Sequence, residues 1–228
     1  MSPKMKNFIV RAITGALFVA IMVAGLLDPT AMIGLFALIT GLALWEYTGL
    51  VNNIENVCIN RFISTVAGVY LFVAIAGINS GIIQTNAVFV PYLLTVVYLF
   101  ISELYTRNAN AVNDWAYTML GQMYIALPLA CINVLAFRQQ PDGTISFYFL
   151  LPLSVYIFLW VNDTGAYLSG SLLGRHKLFP RISPGKSWEG SIGGGLLVLV
   201  VAALLSTDKR IVFFHLIRDA GNQLVPIL

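Results

Sequence analysis

The chain has 228 residues, 58% of them hydrophobic and 10% charged, with a formal net charge of +3, and its mean hydropathy is +0.83. A soluble domain is about 45–50% apolar and about 25% charged, so this chain cannot cover a water-facing surface of ordinary polarity. That excludes a soluble enzyme, a disordered tail and a nucleic-acid binder, and leaves an all-α polytopic integral membrane protein.

The apolar runs follow in order. Lys4, Lys6 and Arg11 open the chain, and the run Phe8–Leu27, with no small-residue cleavage site after it, reads as a retained first span closed by Asp28–Pro29. Span 2 covers Ala31–Trp45 and ends at Glu46; a polar stretch, Asn52–Arg61, leads to span 3, Phe62–Ile78. Span 4 covers Ala87–Ile101, and Glu103–Asp114 is a polar loop. Span 5, Trp115–Phe137, carries Pro128 as a kink; Arg138–Thr144, with Pro-Asp-Gly, is a turn. Span 6 covers Ile145–Val161 and span 7 covers Ser191–Leu205, with the pattern broken between them over 162–190. At about 20 residues per helix this makes about seven transmembrane helices in a single membrane domain, 1–228. Residues 206–228 are an atypical tail. Glu46 and Glu103 read as interfacial anchors in water, and Cys58 and Cys131 as free thiols buried as small hydrophobes.

The basic residues orient the spans. With the N-terminus cytoplasmic, nine of the thirteen Lys and Arg residues fall inside: Lys4, Lys6, Arg11, Arg61, Arg107, Arg175, Lys177, Arg181 and Lys186. Trp45, Trp115 and Trp160 then lie at cytoplasmic span ends, and residues 162–190 face the cytoplasm.

Residues 162–190 read NDTGAYLSGSLLGRHKLFPRISPGKSWEG and hold six of the 23 charged residues of the chain. Eight of its nineteen glycines lie between Gly165 and Gly195. An ordinary positive-inside loop would explain the cations alone. Asp163, however, follows Trp160–Val161 without a polar spacer, and an acid at membrane depth is a functional candidate. Gly170 and Gly174 would share a helical face and admit a close neighbour. Pro180, Pro184 and Gly185 shape the basic stretch, and Ser183, Lys186, Ser187 and open glycine amides suit phosphate. The expectation is a cytoplasm-facing anionic site over 162–190, for a nucleotide or a phospholipid headgroup; the residues by themselves do not choose the reaction.

The stretch WVNDTGAYLSGSLLGRHKLFPRISPGKSWEGSIGGG resembles the central region of bacterial phosphatidate cytidylyltransferases, also called CDP-diacylglycerol synthases. RAITGALFVA near the start and INRFISTVAG before span 3 are similar too, so the resemblance covers about residues 6–203. It implies transfer of CMP from CTP to phosphatidate with Mg²⁺, at an inner-membrane site facing the cytoplasm, with CTP, phosphatidate and membrane lipids as partners. A homodimer is among its implications. Asp163 is then a catalytic residue and the metal ligand, and Lys186 a catalytic cation that with Arg175, Lys177 and Arg181 neutralises the triphosphate or the lipid phosphate. Ser183, Ser187 and the Gly185, Gly190 and Gly193 amides would shape the nucleotide loop; Trp188 would pack it against the membrane or a base, and Glu189 would hold a nearby cation. The family's later blocks, a Gly-Asp pair before a helix and a Pro-Gly-His-Gly-Gly segment followed by Leu-Asp-Arg, do not occur here, and Asp208 and Asp219 lack that context. The expectation is therefore a truncated or frame-shifted chain after about Ala203, with little or no activity alone.

Other readings stand beside this one. CTP-dependent polyprenol or phytol kinases share a looser pattern, matched here by Asp163, Ala166, Gly170, Gly174, Lys186, Ser187, Glu189 and Gly190; the fuller Ser-Pro-Gly-Lys-Ser-Trp-Glu-Gly block favours the cytidylyltransferase. A small transporter would place ionisable groups in mid-span, where this chain has almost none. A non-catalytic membrane fragment is the remaining alternative.

Overall fold

The structure, a computed structural model, describes residues 3–105 and 110–207. Arg107 and the tail beyond Thr207, including Asp208 and Asp219, lie outside the described residues. Two compact units divide the chain, residues 1–149 and 150–228.

The first unit begins with α1, Pro3–Leu27, and α2, Pro29–Val51. Asp28 separates them because its carboxylate caps α2, accepting from Ala31 N–H at 2.8 Å, and Pro29 suits the first helical turn, where no N–H partner exists. One stripe of α2, at four-residue steps and a last step of three, faces inward: Met32, Phe36, Thr40, Leu44, Thr48 and Val51. The two threonines on that stripe satisfy their hydroxyls within the helix, donating at 2.7 Å to Phe36 and Leu44 C=O. Against this stripe packs α3, Arg61–Asn79, where Gly68 leaves the room that the Leu44 side chain fills. Leu44, Leu71 and Ala126 form the centre of this core.

The polar stretch between α2 and α3 is a folded connection. The Asn52 side chain bonds both the N–H and C=O of Ile59, at 2.8 and 3.0 Å, and Val51, Val57 and Ile59 pack together. Cys58 N–H donates to Asp114 at 2.8 Å. Asp114 is therefore buried in the first turn of α5, although the sequence places it in a polar loop. Glu103 departs from expectation in the same way. It lies one turn beyond Leu99 on the inward face of α4, Val90–Tyr105, and is 5% exposed instead of anchoring in water. Glu46 is exposed. Both cysteines are exposed instead of buried, and Cys131 is so because it sits on the outward stripe of α6 beside the buried Ala130 and Ile132.

The kink expected at Pro128 takes the form of a π-helical segment, Gln122–Ala126, between α5, Ala111–Gly121, and α6, Leu127–Ala136. Proline cannot donate to the turn before it and its ring crowds that turn, so the widened segment absorbs the misfit. A short antiparallel pair, β1, Phe137–Gln139, and β2, Ile145–Phe147, closes the unit around the Asp142–Gly143 turn, with Gly143 at φ +85°.

The second unit is a helical hairpin. Helix α7, Leu150–Leu173, is followed by strands β3, Lys177–Phe179, and β4, Ser183–Ser187, and then by α8, Trp188–Thr207. The break expected at Asn162 does not occur: α7 runs on for three more turns, and only residues 174–187 lie between the helices. Asn162, Gly165, Ser169 and Gly170 look like loop residues in isolation, but in place they belong to the contact face of a closely packed helix pair.

The protein is mostly helical and suited to a membrane. Among the described residues, five helical stretches are long and apolar enough to cross one: Pro29–Val51, Arg61–Asn79, Asn86–Tyr105, Ala111–Ala136 and Trp188–Leu205, with a shorter apolar stretch at Ile13–Leu27. Their outward residues, such as Leu38, Leu42, Leu94 and Leu199, are exposed and apolar, as lipid contact requires.

Candidate functional site

The second unit builds its site from a close approach of two helices. A Cβ at Gly165 would sit 3.1 Å from the Gly194 Cα, and a Cβ at Gly194 would sit 2.7 Å from the Asn162 carbonyl oxygen. Only a residue without a side chain allows that spacing. Ser169 adds a polar contact across the pair, its hydroxyl 2.6 Å from Gly165 C=O and 3.3 Å from Gly190 C=O on α8.

Where α7 and α8 meet the hairpin, an open cleft of about 490 Å³ forms. Helix α7 lines it with two columns at four-residue spacing, Asn162–Ala166–Gly170 and Asp163–Tyr167–Ser171. Strand β4 contributes Gly185, Lys186 and Ser187, and the first turn of α8 contributes Gly190 and Ser191. The α7 side runs from Asn162 to Ser171, about 14 Å at 1.5 Å per residue. Asp163 and Lys186 are both exposed within it.

The predicted residues separate into two groups. Asp163, Gly185, Lys186, Ser187 and Gly190 line the cleft. Arg175, Lys177, Arg181, Ser183, Trp188 and Glu189 do not. Arg175, Lys177 and Arg181 are exposed on the hairpin, and Ser183 pairs with Phe179 across it. Trp188 is 56% exposed and donates its N–H to His176 C=O at 3.0 Å. Glu189 is engaged by His176, whose ring Nδ1 lies 2.6 Å from Oε1.

Ser187 has a structural task as well as a place in the cleft. It is buried, and its hydroxyl accepts from Gly190 N–H at 3.2 Å, capping the start of α8. A Cβ at Gly170 or Gly174 would meet that same hydroxyl, at 3.2 and 2.8 Å, so the shared face expected of these two glycines is the seat of Ser187.

Asn162, Ala166, Tyr167, Ser171 and Ser191 are cleft residues that the cytidylyltransferase resemblance leaves without a role, Ala166 entering only through the kinase pattern. The signal for three of them was present. Continuing helical spacing from Asn162 and Asp163 reaches Ala166 and Tyr167, then Gly170 and Ser171.

Comparison with known proteins gives a consistent result. The family described as "Cytidylyltransferase family" matches residues 6–218. A phosphatidate cytidylyltransferase of Haemophilus influenzae is 31% identical over 182 residues, covering 73% of this chain and 62% of that protein. The phosphatidate cytidylyltransferase of Staphylococcus aureus strain COL is 27% identical over 193 residues, covering 84% of this chain and 69% of its own length. One from Staphylococcus epidermidis is 26% identical over 197 residues, with coverages of 86% and 71%. The chain thus spans 62% of the length of the Haemophilus relative it matches.

Proposed function

The chain belongs to the cytidylyltransferase family, and on that premise we propose that it serves CMP transfer from CTP to phosphatidate, giving CDP-diacylglycerol and pyrophosphate. The observation that carries this reading is the cleft, where an acid of α7, Asp163, and a cation of β4, Lys186, line one open space at the start of α8. A phosphate oxygen of phosphatidate attacks the α-phosphorus of CTP. The new P–O bond forms as the bond to the β-phosphate oxygen breaks, and pyrophosphate leaves with that electron pair. Such a transfer depends on positioning and charge neutralisation. Lys186 supplies a compact positive charge to phosphate oxygens, and the partial positive end of α8 points the same way.

Mg²⁺ binds through one or two carboxylates together with substrate phosphate oxygens and water. Asp163 is the acidic side chain among the residues lining the cleft, a single carboxylate suited to an ion whose other ligands are nucleotide phosphate oxygens and water. Asp163 would hold it, and when bound the ion supplies charge neutralisation at the phosphates.

The same reading sets the topology: seven crossings of the inner membrane with a cytoplasmic N-terminus. The cations at 175, 177, 181 and 186 then face the cytoplasm beside the hairpin. Asp163 lies ten residues before the end of α7 at Leu173, about 15 Å along the axis. The cleft therefore reaches from the nucleotide side toward the level of lipid.

Reconstitution with CTP labelled at the α- or the γ-phosphorus tests the assignment. Entry of α-label into a lipid product that requires phosphatidate is the expected result. Failure to bind CTP, or transfer of γ-label to a prenyl alcohol, would contradict it.

A further inference from the structure

Sequence reasoning gives Glu189 a cation in the active site, but its carboxylate is occupied elsewhere. Glu189 lies in the first turn of α8, and both of its oxygens accept from His176 backbone N–H at 3.2 Å. The His176 ring Nδ1 lies 2.6 Å from Oε1. An ionised carboxylate only accepts, so Nδ1 carries the hydrogen. In return His176 C=O accepts from Trp188 N–H at 3.0 Å, and Lys177 pairs with Ser187 in the strand register. These bonds join the two ends of the segment that carries Gly185 and Lys186 to the cleft. Neither His176 nor Glu189 lines that cleft.

The hairpin needs such a tie. Its strands have only three and five residues, and their register is irregular between Lys177 and Phe179. A two-stranded hairpin of this size is marginal on its own. A cation displaced by about 1 Å loses much of its value to a phosphoryl transfer. Resting on the reading proposed above, we infer that Glu189 is a positioning residue. It acts through His176 to clasp the base of the hairpin, which holds Lys186 at the cleft, and it does not touch nucleotide or metal.

The clasp has a readout separate from activity, because Arg175, Lys177, Arg181 and Lys186 are trypsin sites on or beside the hairpin. The full chain is reconstituted, with intact α-helical spectra required of every variant. His176→Ala and Glu189→Ala should each speed cleavage after Arg181 by about three- to tenfold, the range for a partly exposed charge-assisted tie. The double variant should be no faster than the faster single one. His176→Asn, which keeps a side-chain N–H donor, should stay within about twofold of the parent. In the CTP assay Glu189→Ala should lose somewhat more kcat/KM than His176→Ala, which keeps its backbone N–H to the carboxylate, the double variant should lose no more than Glu189→Ala, and His176→Asn should recover.

Glu189→Ala with unchanged cleavage but a far larger loss of kcat/KM than His176→Ala would overturn the proposal and make Glu189 a direct ligand. If the parent chain handles no CTP while the cleavage pattern appears as expected, the transfer reading fails and the clasp stands.

Discussion

Lys186 is the residue whose role can be stated most simply, as an exposed ammonium on β4 lining the cleft. Lys186→Ala should lower CTP-dependent turnover on the order of a hundredfold, the scale found when one preorganised group facing a developing charge is removed. Kinetics on reconstituted protein would measure it, and Lys186→Arg should recover only part, since a planar fork does not reproduce a point charge. Asp163→Asn should raise the Mg²⁺ concentration needed for half-maximal rate, read from a metal titration at saturating CTP. These residues were legible in the sequence because charge is scarce in this chain and collects there. Arg175, Lys177, Arg181 and Glu189 were legible as a cluster but not as a geometry. A hairpin register and a His–Glu clasp, which take three of the cations and the acid away from the cleft, depend on backbone pairing that composition does not encode. Tyr167 and Ser171 were hidden for a different reason. The polar, glycine-rich run after Asn162 suggested a loop, and only a helix puts them in line with Asp163.

At the scale of elements, the site depends on how closely α7 and α8 approach. Gly194→Ala would push a methyl against the Asn162 carbonyl and should destabilise the pair by about 1–3 kcal/mol. Gly195→Ala meets nothing within 4 Å and should be neutral, or slightly stabilising through helix propensity. Thermal unfolding of both variants in the same detergent separates the two cases. In the first unit, Asp114→Ala should cost about 1–3 kcal/mol, because Cys58 N–H would lose its buried acceptor. The apolar runs announced most of the helices, since periodicity and length survive in sequence. Burial of Asp114 and Glu103 did not, because an acid near a span end reads as solvated until its neighbours are known. Pro128 marked a break in the fifth run, while the π-helical form that absorbs it, over Gln122–Ala126, has no signature in the apolar pattern.

Among the described residues, the first unit holds four of the helical stretches suited to crossing a membrane, and the second holds a fifth together with the cleft. If the hairpin faces the cytoplasm, a cysteine at Ile182 in a chain lacking Cys58 and Cys131 should react with a membrane-impermeant maleimide in inside-out vesicles and not in right-side-out ones. Membership of the cytidylyltransferase family rests on a match over residues 6–218, while the assignment of CTP chemistry to this cleft rests on Asp163 and Lys186 sharing it. The most direct measurement is equilibrium binding of labelled CTP to the chain in lipid nanodiscs, compared with Lys186→Ala and with Arg181→Ala. The account predicts saturable binding that Lys186→Ala weakens at least about tenfold, the effect of losing one charge-assisted phosphate contact, and that Arg181→Ala, off the cleft, leaves within about twofold. Absence of saturable binding, or equal affinity in the parent and Lys186→Ala proteins, would contradict it.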